Sequence, residues 1–181
     1  MILSFGGSLG AKAINNAVAG LIADKSRCGK YQLMHAAGKV GYKDFIEQLK
    51  NRGVELTDSS IKVSEYISNM AECMAAADLI IGRAGAITLT EIEAAGKASI
   101  LIPSPYVAEN HQYHNAMTLK NRNAAEVIEE KDLTEELLIA TVDRLLADGF
   151  TAEKMGKNAQ KHAIMDANER IYVTLMSLLQ N

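Results

Sequence analysis

Short apolar runs alternate along the chain with longer amphipathic segments, and no other feature of the sequence limits the fold as strongly. Such runs predict buried strands, and apolar residues at helical spacing predict helices between them. This alternation is typical of βα units and a mainly parallel sheet, and therefore of the α/β class. The predicted strands are 2–5, 31–36, 61–63, 79–81, 99–102 and 125–128. The predicted helices are 11–24, 42–51, 70–76, 88–95, 112–122, 134–147, 152–163 and 168–179.

The composition indicates one compact domain and argues against several classes of protein. A chain of 181 residues, 48% of them hydrophobic, can bury one substantial core. Its formal net charge of -3 argues against a nucleic-acid partner, which needs clustered lysines and arginines. Without a run of about 18 apolar residues or a signal-peptide layout, we expect a soluble chain. Cys28 and Cys73 have no paired spacing and are predicted to be reduced thiols in a cytosolic protein.

The loop after the first predicted strand reads FGGSLGAK, from Phe5 to Lys12. Its glycines allow close approach of a ligand, Ser8 offers a hydroxyl, and the following helix start offers free amides, a combination that suits phosphate. The structural alternative is a plain tight turn. The loop lacks the Gly-Lys-Ser/Thr ending of a Walker A motif and the Gly-x-Gly-x-x-Gly of a dinucleotide fold.

A second unusual loop reads GRAGAITLTEIEAAG, from Gly82 to Gly96. Its small residues leave the first amides of the next helix unshielded, so these amides are suited to bind a diphosphate. Glu91 follows Thr88 by three residues, which is the spacing of a capping box with a purely structural carboxylate. The alternative is that Glu91 accepts hydrogen bonds from a sugar's paired hydroxyls. The spacing alone leaves both interpretations open.

Two further loops read SEYISNM, at 64–70, and PSPYVAENHQYHNA, at 103–116. In the second, two prolines stiffen a polar loop that opens onto a helix with hydrogen-bonding side chains suited to a sugar. These side chains are Glu109, Asn110, Gln112 and Asn115.

The four histidines do not indicate a metal or catalytic site. His111 and His114 share a helical face, but a metal site needs a third ligand, so we predict no metal. His35 and His162 are predicted to be surface or hydrogen-bonded structural histidines rather than catalytic bases.

The segments GGSLGAKAINNAV, SEYISNMAECMAAADLIIGRAGAITLTEIEAAGKASILIPSP and ENHQYHNAMTL together resemble the C-terminal half of the MurG family of peptidoglycan glycosyltransferases. The resemblance covers essentially the whole chain. It implies one half of a GT-B enzyme, in which two Rossmann-like three-layer domains face each other across a cleft. Such enzymes transfer N-acetylglucosamine from UDP-N-acetylglucosamine to the lipid-linked muramyl-pentapeptide, lipid I, giving lipid II. The C-terminal domain holds the nucleotide sugar.

Carried over by position, the resemblance implies a role for each motif. Ser8 would contact the diphosphate, and Ile67 would present backbone groups to uracil. Glu91 would bind the ribose hydroxyls, and Gln112, with Asn115 nearby, would hold hydroxyls of the N-acetylglucosamine ring. The start of the helix would lie on the phosphates and complete the donor site with Ala86, Ile87, Thr88, Leu89 and Thr90.

The resemblance also sets the expected organisation. Residues 1–165 would form the donor-binding domain, and the helix within 166–181 would cross back to an N-terminal domain. That other domain would bind lipid I and the cytoplasmic face of the membrane, where the full-length protein is peripheral. We therefore expect no catalytic residue, no cofactor other than the UDP-N-acetylglucosamine substrate, and no activity from this half alone. The alternatives are another UDP-sugar enzyme, such as a glycolipid synthase or an epimerase, and a non-catalytic α/β binding module.

The last predicted helix, within ANERIYVTLMSLLQN, has a wide apolar stripe. We expect it either to pack on its own domain or to pair with a second copy in a homodimer.

Overall fold

The computed structural model describes residues 1–24, 30–57, 59–147 and 149–179; Cys28 lies outside these ranges, so its reduced state stays a prediction. Strands and helices alternate in the predicted order. The strands are β1 (Ile2–Phe5), β2 (Leu33–Ala36), β3 (Ile61–Ser64), β4 (Leu79–Gly82), β5 (Ala98–Leu101) and β6 (Glu126–Val127). The helices are α1 (Lys12–Ala23), α2 (Tyr42–Asn51), α3 (Met70–Ala76), α4 (Ala86–Ala95), α5 (His111–Asn121), α6 (Glu135–Leu146), α7 (Phe150–Gln160) and α8 (Ala167–Leu179). Two 3₁₀ turns lie at Ala108–Asn110 and Glu130–Asp132.

The strands form one sheet in the order β3-β2-β1-β4-β5-β6, and every strand pair is parallel. Ile2 of β1 pairs with Leu33 of β2 on one side and with Leu79 of β4 on the other. The chain thus winds outward from β1 to β3, returns to the middle of the sheet, and continues outward through β6. The predicted α/β class with a mainly parallel sheet is confirmed. Ligands of such sheets bind beyond the carboxyl ends of the strands, where the winding reverses, here between β1 and β4.

Helices cover both faces of the sheet, which explains the almost continuously apolar strands. On one face, Ile2 and Ile81 pack with residues of α1, α2 and α6; on the other, Leu3 and Ile80 pack with residues of α3, α4 and α5. All four strand residues are fully buried, and burying an Ile or Leu side chain contributes about 1.5–3 kcal/mol. On the second face α3, α4 and α5 lie side by side. Because each follows a strand, their N-termini all lie at the carboxyl edge.

Several boundaries differ from the prediction. The helix predicted from Thr88 begins at Ala86, because Gly85 takes an extended conformation as its N-cap and alanine strongly favours helix. The helix predicted from Gln112 begins at His111, after two residues with a left-handed φ of 51°, Glu109 and Asn110. The strands predicted over 31–36 and 125–128 are shorter: β2 starts where it first pairs with β1, and β6 lies at the sheet edge with β5 as its neighbour.

The last helix, α8, does not pack on its own domain. Every residue from Ala167 to Leu179 is exposed, including the apolar Ile171, Leu175 and Leu178 at 55–68%. The first of the two expected outcomes for this helix is therefore wrong, and pairing with a second copy stays a prediction. Within the residues that the structure describes, no helix, α8 included, is long and apolar enough to span a membrane.

Candidate functional site

A cleft of about 600 Å³ lies at the carboxyl edge of the sheet, where the winding reverses between β1 and β4. Four loops line it: those that follow β1, β4, β5 and β6. The side chains that contribute to its walls are Lys12, Asn16, Arg83, Ser104, Tyr106, Gln112 and Glu130. The position of the cleft is that expected for the ligand site of an open α/β sheet.

The glycine loop after β1 is a tight turn that approaches its neighbour closely. Gly10 N donates to Gly7 O at 3.0 Å, and both glycines have positive φ, +88° at Gly7 and +83° at Gly10. A Cβ on Gly10 would lie 2.1 Å from Ala37 O, so the turn rests directly on the loop after β2. Ser8 is exposed at the tip of the turn, where its hydroxyl faces solvent.

The start of α1 has the features of an anion site. Ala11 at the N-cap has no side-chain oxygen, and the helical ladder begins with Asn15 N donating to Ala11 O at 2.9 Å. The first-turn amides precede this ladder and form the positive end of the helix dipole. Lys12 adds a full positive charge beside the cleft. Sequence reasoning missed Lys12, although its place as the first helical residue after a glycine loop was a usable signal.

The start of α4 also lacks a side-chain cap and has free first-turn amides. Gly85 is its N-cap, and the first ladder bond is donated by Leu89 N to Gly85 O at 3.0 Å. The amides of Ala86, Ile87 and Thr88 therefore lie before the ladder, as predicted from the small residues around Arg83. Ala86 and Ile87 are exposed, Leu89 is buried, and Thr90 Oγ1 donates to Ala86 O at 2.9 Å.

The position of α4 decides against the capping box. Thr88 is the third residue of the helix rather than its N-cap, so Glu91 is not placed to bond back to a capping residue. Glu91 is exposed on the second turn. The structural interpretation of this carboxylate is thus wrong, and its role as a ligand contact stays open.

Ile67 anchors the loop that leads into α3. Its side chain is 5% exposed and lies in the same buried cluster as Ala84 and Leu89. The helix α3, which follows this loop, lies in contact with α4. The predicted contacts at Ile67, at residues 86–91 and at Gln112 thus follow one another along the starts of α3, α4 and α5.

Gln112 and Asn115 are both tied to neighbouring loops. Gln112 Oε1 accepts from Ser104 N at 2.9 Å, which leaves its amide group for the cleft that it lines. Asn115 Nδ2 donates to Ala84 O at 3.2 Å and so holds α5 against the loop before α4. Gln112 is therefore placed for ligand contact, while Asn115 connects two parts of the site.

An ion pair that sequence reasoning missed crosses the cleft. Arg83 Nη2 lies 2.5 Å from Glu130 Oε2, and Nη1 donates to Ile102 O at 3.1 Å. Both side chains are largely buried, at 15% and 16% exposure. Arg83 follows β4 and Glu130 follows β6, so the pair connects loops that the sequence separates by many residues. The sequence offered no signal for Glu130.

The prediction for two histidines is confirmed. His35 is fully buried, with its ring nitrogens 3.2 Å from Ser4 Oγ and 3.2 Å from Asn15 Oδ1. Burial lowers the pKa of His35 to about 4, because the charged ring would lose its hydration. His162 is exposed. The thiol of Cys73 is buried and free.

Comparison with known proteins defines the class to which this fold and cleft belong. The Glycosyltransferase family 28 C-terminal domain matches residues 1–171. The chain belongs to this family, and the resemblance inferred from the sequence motifs is confirmed.

Two curated relatives make the likeness more specific. The chain is 43% identical over its whole length to the UDP-N-acetylglucosamine--N-acetylmuramyl-(pentapeptide) pyrophosphoryl-undecaprenol N-acetylglucosamine transferase of Acetivibrio thermocellus. Over 98% of its length it is 44% identical to the transferase of the same name from Thermoanaerobacter sp. strain X514. It covers 48% of each, so the chain spans about half the length of the curated relatives that it matches.

Solved structures agree with the fold. MurG of Acinetobacter baumannii aligns with 97% of the chain at a TM-score of 0.80 and 27% identity, and the chain covers 49% of it. WaaG, a glycosyltransferase involved in lipopolysaccharide biosynthesis, aligns with 90% of the chain at a TM-score of 0.67 and 22% identity, and the chain covers 42% of it. The likeness to WaaG concerns the fold alone.

Proposed function

We propose that this chain is the donor-binding half of an enzyme that transfers N-acetylglucosamine from UDP-N-acetylglucosamine to lipid I, forming lipid II of peptidoglycan. The names of the two curated relatives describe this transfer. The observation that carries the proposal is the row of helix starts at the carboxyl edge. Three proposed contacts follow one another there: Ile67, residues 86–91 and Gln112. Their order matches the order of the parts of the donor, which are uracil, ribose with diphosphate, and sugar.

In this proposal the donor contacts the glycine turn after β1 and the starts of α3, α4 and α5. Backbone groups at Ile67 bind the uracil edge, and Glu91 accepts hydrogen bonds from the two ribose hydroxyls. The amide group of Gln112 binds a hydroxyl of the N-acetylglucosamine ring, and Asn115 supports it from the next turn. The diphosphate lies between Ser8 of the glycine turn and the first turns of α4, formed by Ala86, Ile87, Thr88, Leu89 and Thr90.

The chemistry places its main electrostatic demand on the diphosphate. As the bond between the sugar and UDP breaks, negative charge accumulates on the leaving phosphate. The starts of α1 and α4 and the ammonium group of Lys12 stabilise that charge with groups fixed before the reaction. We therefore propose a donor site that works without a metal cofactor. We assign no catalytic residue to this chain.

A second domain is proposed to cover the carboxyl edge and bind the acceptor. Four loops and the first turn of α4 each expose one large apolar side chain at this edge, to between 69% and 85%: Leu9, Val40, Tyr66, Ile87 and Tyr106. Exposed apolar surface of this kind is typical of an interface. Residues 1–165 would then form the donor domain, and α8 would pack on the acceptor domain. Because lipid I lies in the membrane, we place the full-length protein at its cytoplasmic face through that domain.

Calorimetry with a panel of UDP-sugars tests the proposal. We expect UDP and UDP-N-acetylglucosamine to bind, with UDP-N-acetylglucosamine about tenfold tighter than UDP-glucose, since the acetamido group adds contacts. Equal affinity for all UDP-sugars would indicate a different enzyme of the same fold, and no binding of any would indicate a non-catalytic module. The chain alone should show no transfer to lipid I, and turnover above background would contradict the two-domain reading.

A further inference from the structure

A buried polar network lies beneath the glycine turn, where a parallel sheet is otherwise apolar. It joins Ser4 of β1, His35 of β2 and Asn15 of α1, each at most 5% exposed. His35 contacts Ser4 Oγ and Asn15 Oδ1 at 3.2 Å, and Asn15 Nδ2 donates to Ala37 O at 2.9 Å. Polar groups are costly to bury unless they are hydrogen-bonded, so three of them in one contact chain indicate a specific task.

The carbonyl group of Ala37 determines the direction of every hydrogen bond in the network. Ala37 O can only accept, so the group of Asn15 that faces it is the amide nitrogen, and Oδ1 faces His35. Oδ1 can only accept, so His35 donates from Nε2. A neutral ring carries one proton, and Nδ1 therefore accepts from the hydroxyl of Ser4. Burial keeps the ring neutral at pH 7, because it lowers the pKa of His35 to about 4.

The glycine turn after β1 and the loop that leads into α2 both rest on the end of this network. A Cβ on Gly41 would lie 2.6 Å from Asn15 Nδ2, and a Cβ on Gly10 would lie 2.1 Å from Ala37 O. The backbone of both glycines is thus in direct contact with the hydrogen bond between Asn15 and Ala37. Gly10 closes the glycine turn and leads directly into the start of α1. Because protein interiors are close-packed and transmit strain, we expect a movement of Ala37 O to shift the turn.

We propose that His35 and Asn15 are positioning residues that hold the glycine turn, residues 7–10, in the place where Ser8 and the start of α1 meet the diphosphate of the donor. This inference rests on the proposed function. His35 acts through Asn15 and does not touch the ligand. The uridine part of the proposed site, at Ile67 and Glu91, lies on the other face of the sheet, and none of the hydrogen bonds of the network is made to either residue.

The test compares UDP with uridine, which lacks the diphosphate. Asn15→Asp places an acceptor against Ala37 O, and His35→Leu removes the donor to Asn15. We expect both variants to bind UDP about tenfold more weakly, which corresponds to the loss of one hydrogen bond. The affinity for uridine should change by less than about twofold. His35→Gln, which keeps a donor toward Asn15, should restore most of the UDP affinity.

Thr141→Val is the matched control, since it removes another hydrogen bond of a buried side chain, from Thr141 Oγ1 to Leu137 O at 2.8 Å within α6. It should lower Tm and leave the ratio of UDP to uridine affinity unchanged. If the network variants also lower Tm and leave that ratio unchanged, the positioning role is overturned. Should one of the two variants fail to fold, the other decides by the same ratio.

NMR separates this inference from the proposed function. If the wild type does not bind UDP, the proposed function fails, but the network is still tested by the amide signals of residues 7–10. These signals should move in Asn15→Asp and not in Thr141→Val; signals that stay in place would overturn the inference. The ¹⁵N shifts of His35 should show a proton on Nε2, and a proton on Nδ1 would overturn the hydrogen-bond directions.

Discussion

The helices α4 and α6 begin in opposite ways. At α6, Leu137 N donates to Thr134 Oγ1 at 3.1 Å, and Glu135 and Glu136 occupy the first turn. A side-chain cap of this kind stabilises a helix by about 1 kcal/mol, and the carboxylates favourably meet the positive end of the dipole. This start is complete without a ligand.

At α4 the corresponding groups are missing. Gly85 provides no side-chain cap, and the first turn, Ala86, Ile87 and Thr88, contains no acidic residue. α6 follows the edge strand β6, whereas α4 follows β4 beside the reversal of the winding. The comparison teaches that the start of α6 is satisfied by groups of this chain, whereas the start of α4 leaves its first amides for an anion.

A carboxylate placed in the first turn of α4 should have the largest effect on UDP affinity. Ala86→Glu adds a negative charge where the diphosphate is proposed to lie, which costs several kcal/mol and weakens UDP by on the order of a hundredfold or more. The same change should slightly stabilise the free protein, because it complements the dipole. Calorimetry and thermal melting measure the two opposite effects. Asn168→Glu, in the first turn of α8, is the control and should leave UDP affinity unchanged.

The buried network of Ser4, His35 and Asn15 should make the stability of the protein depend on pH. The pKa of His35 is about 4 in the folded protein and 6.5 when unfolded. Between these values the unfolded chain binds a proton that the folded protein excludes, so stability falls as the pH drops from 6.5 to 4. The loss is on the order of 3 kcal/mol from this group alone. Urea denaturation of wild type and His35→Gln should give curves that converge over this range, and parallel curves would argue against a buried neutral ring.

The exposed carboxylate on α4 should matter for binding rather than for folding. Glu91→Gln is expected to weaken UDP by roughly 1.5–3 kcal/mol, the range for a hydrogen bond to a charged group, with Tm almost unchanged. Glu93→Gln is its control two residues further on: Glu93 pairs with Arg122 at 3.3 Å, so that variant should affect stability alone. A loss of Tm without loss of UDP affinity in Glu91→Gln would mean that the carboxylate is structural.

The smallest effect is expected at the capped helix. Thr134→Ala removes the cap of α6 and should lower the free energy of unfolding by about 0.5–2 kcal/mol. UDP affinity should not change, since α6 starts away from the cleft. A change in UDP affinity would remove the contrast between the two helix starts.

The sequence was enough to predict the sheet and most of the helix starts. The apolar runs follow directly from burial on two faces, and the small residues around Arg83 indicate a bare helix N-terminus. The helix boundary itself was harder, because Thr88 and Glu91 have the spacing of a capping box. Only the observed N-cap at Gly85 excludes that interpretation.

Contacts between distant loops could not be predicted in the same way. The pair between Arg83 and Glu130 and the chain from Ser4 through His35 to Asn15 join residues whose neighbourhood depends on the strand order. His35 was correctly predicted to be structural, but its partners are set by the register of β1 against β2. Periodicity gives the face on which a residue lies, and not which residue it meets there.

Amide chemical shifts on titration with UDP test the central claim most directly. The account predicts that the signals of Ser8, Ile67 and residues 86–88 move together at one ligand concentration, while those of Glu135, Glu136 and Leu137 at the capped start of α6 stay in place. The contradicting result would be no movement at the starts of α1 and α4 at millimolar UDP, or equal movement at the start of α6.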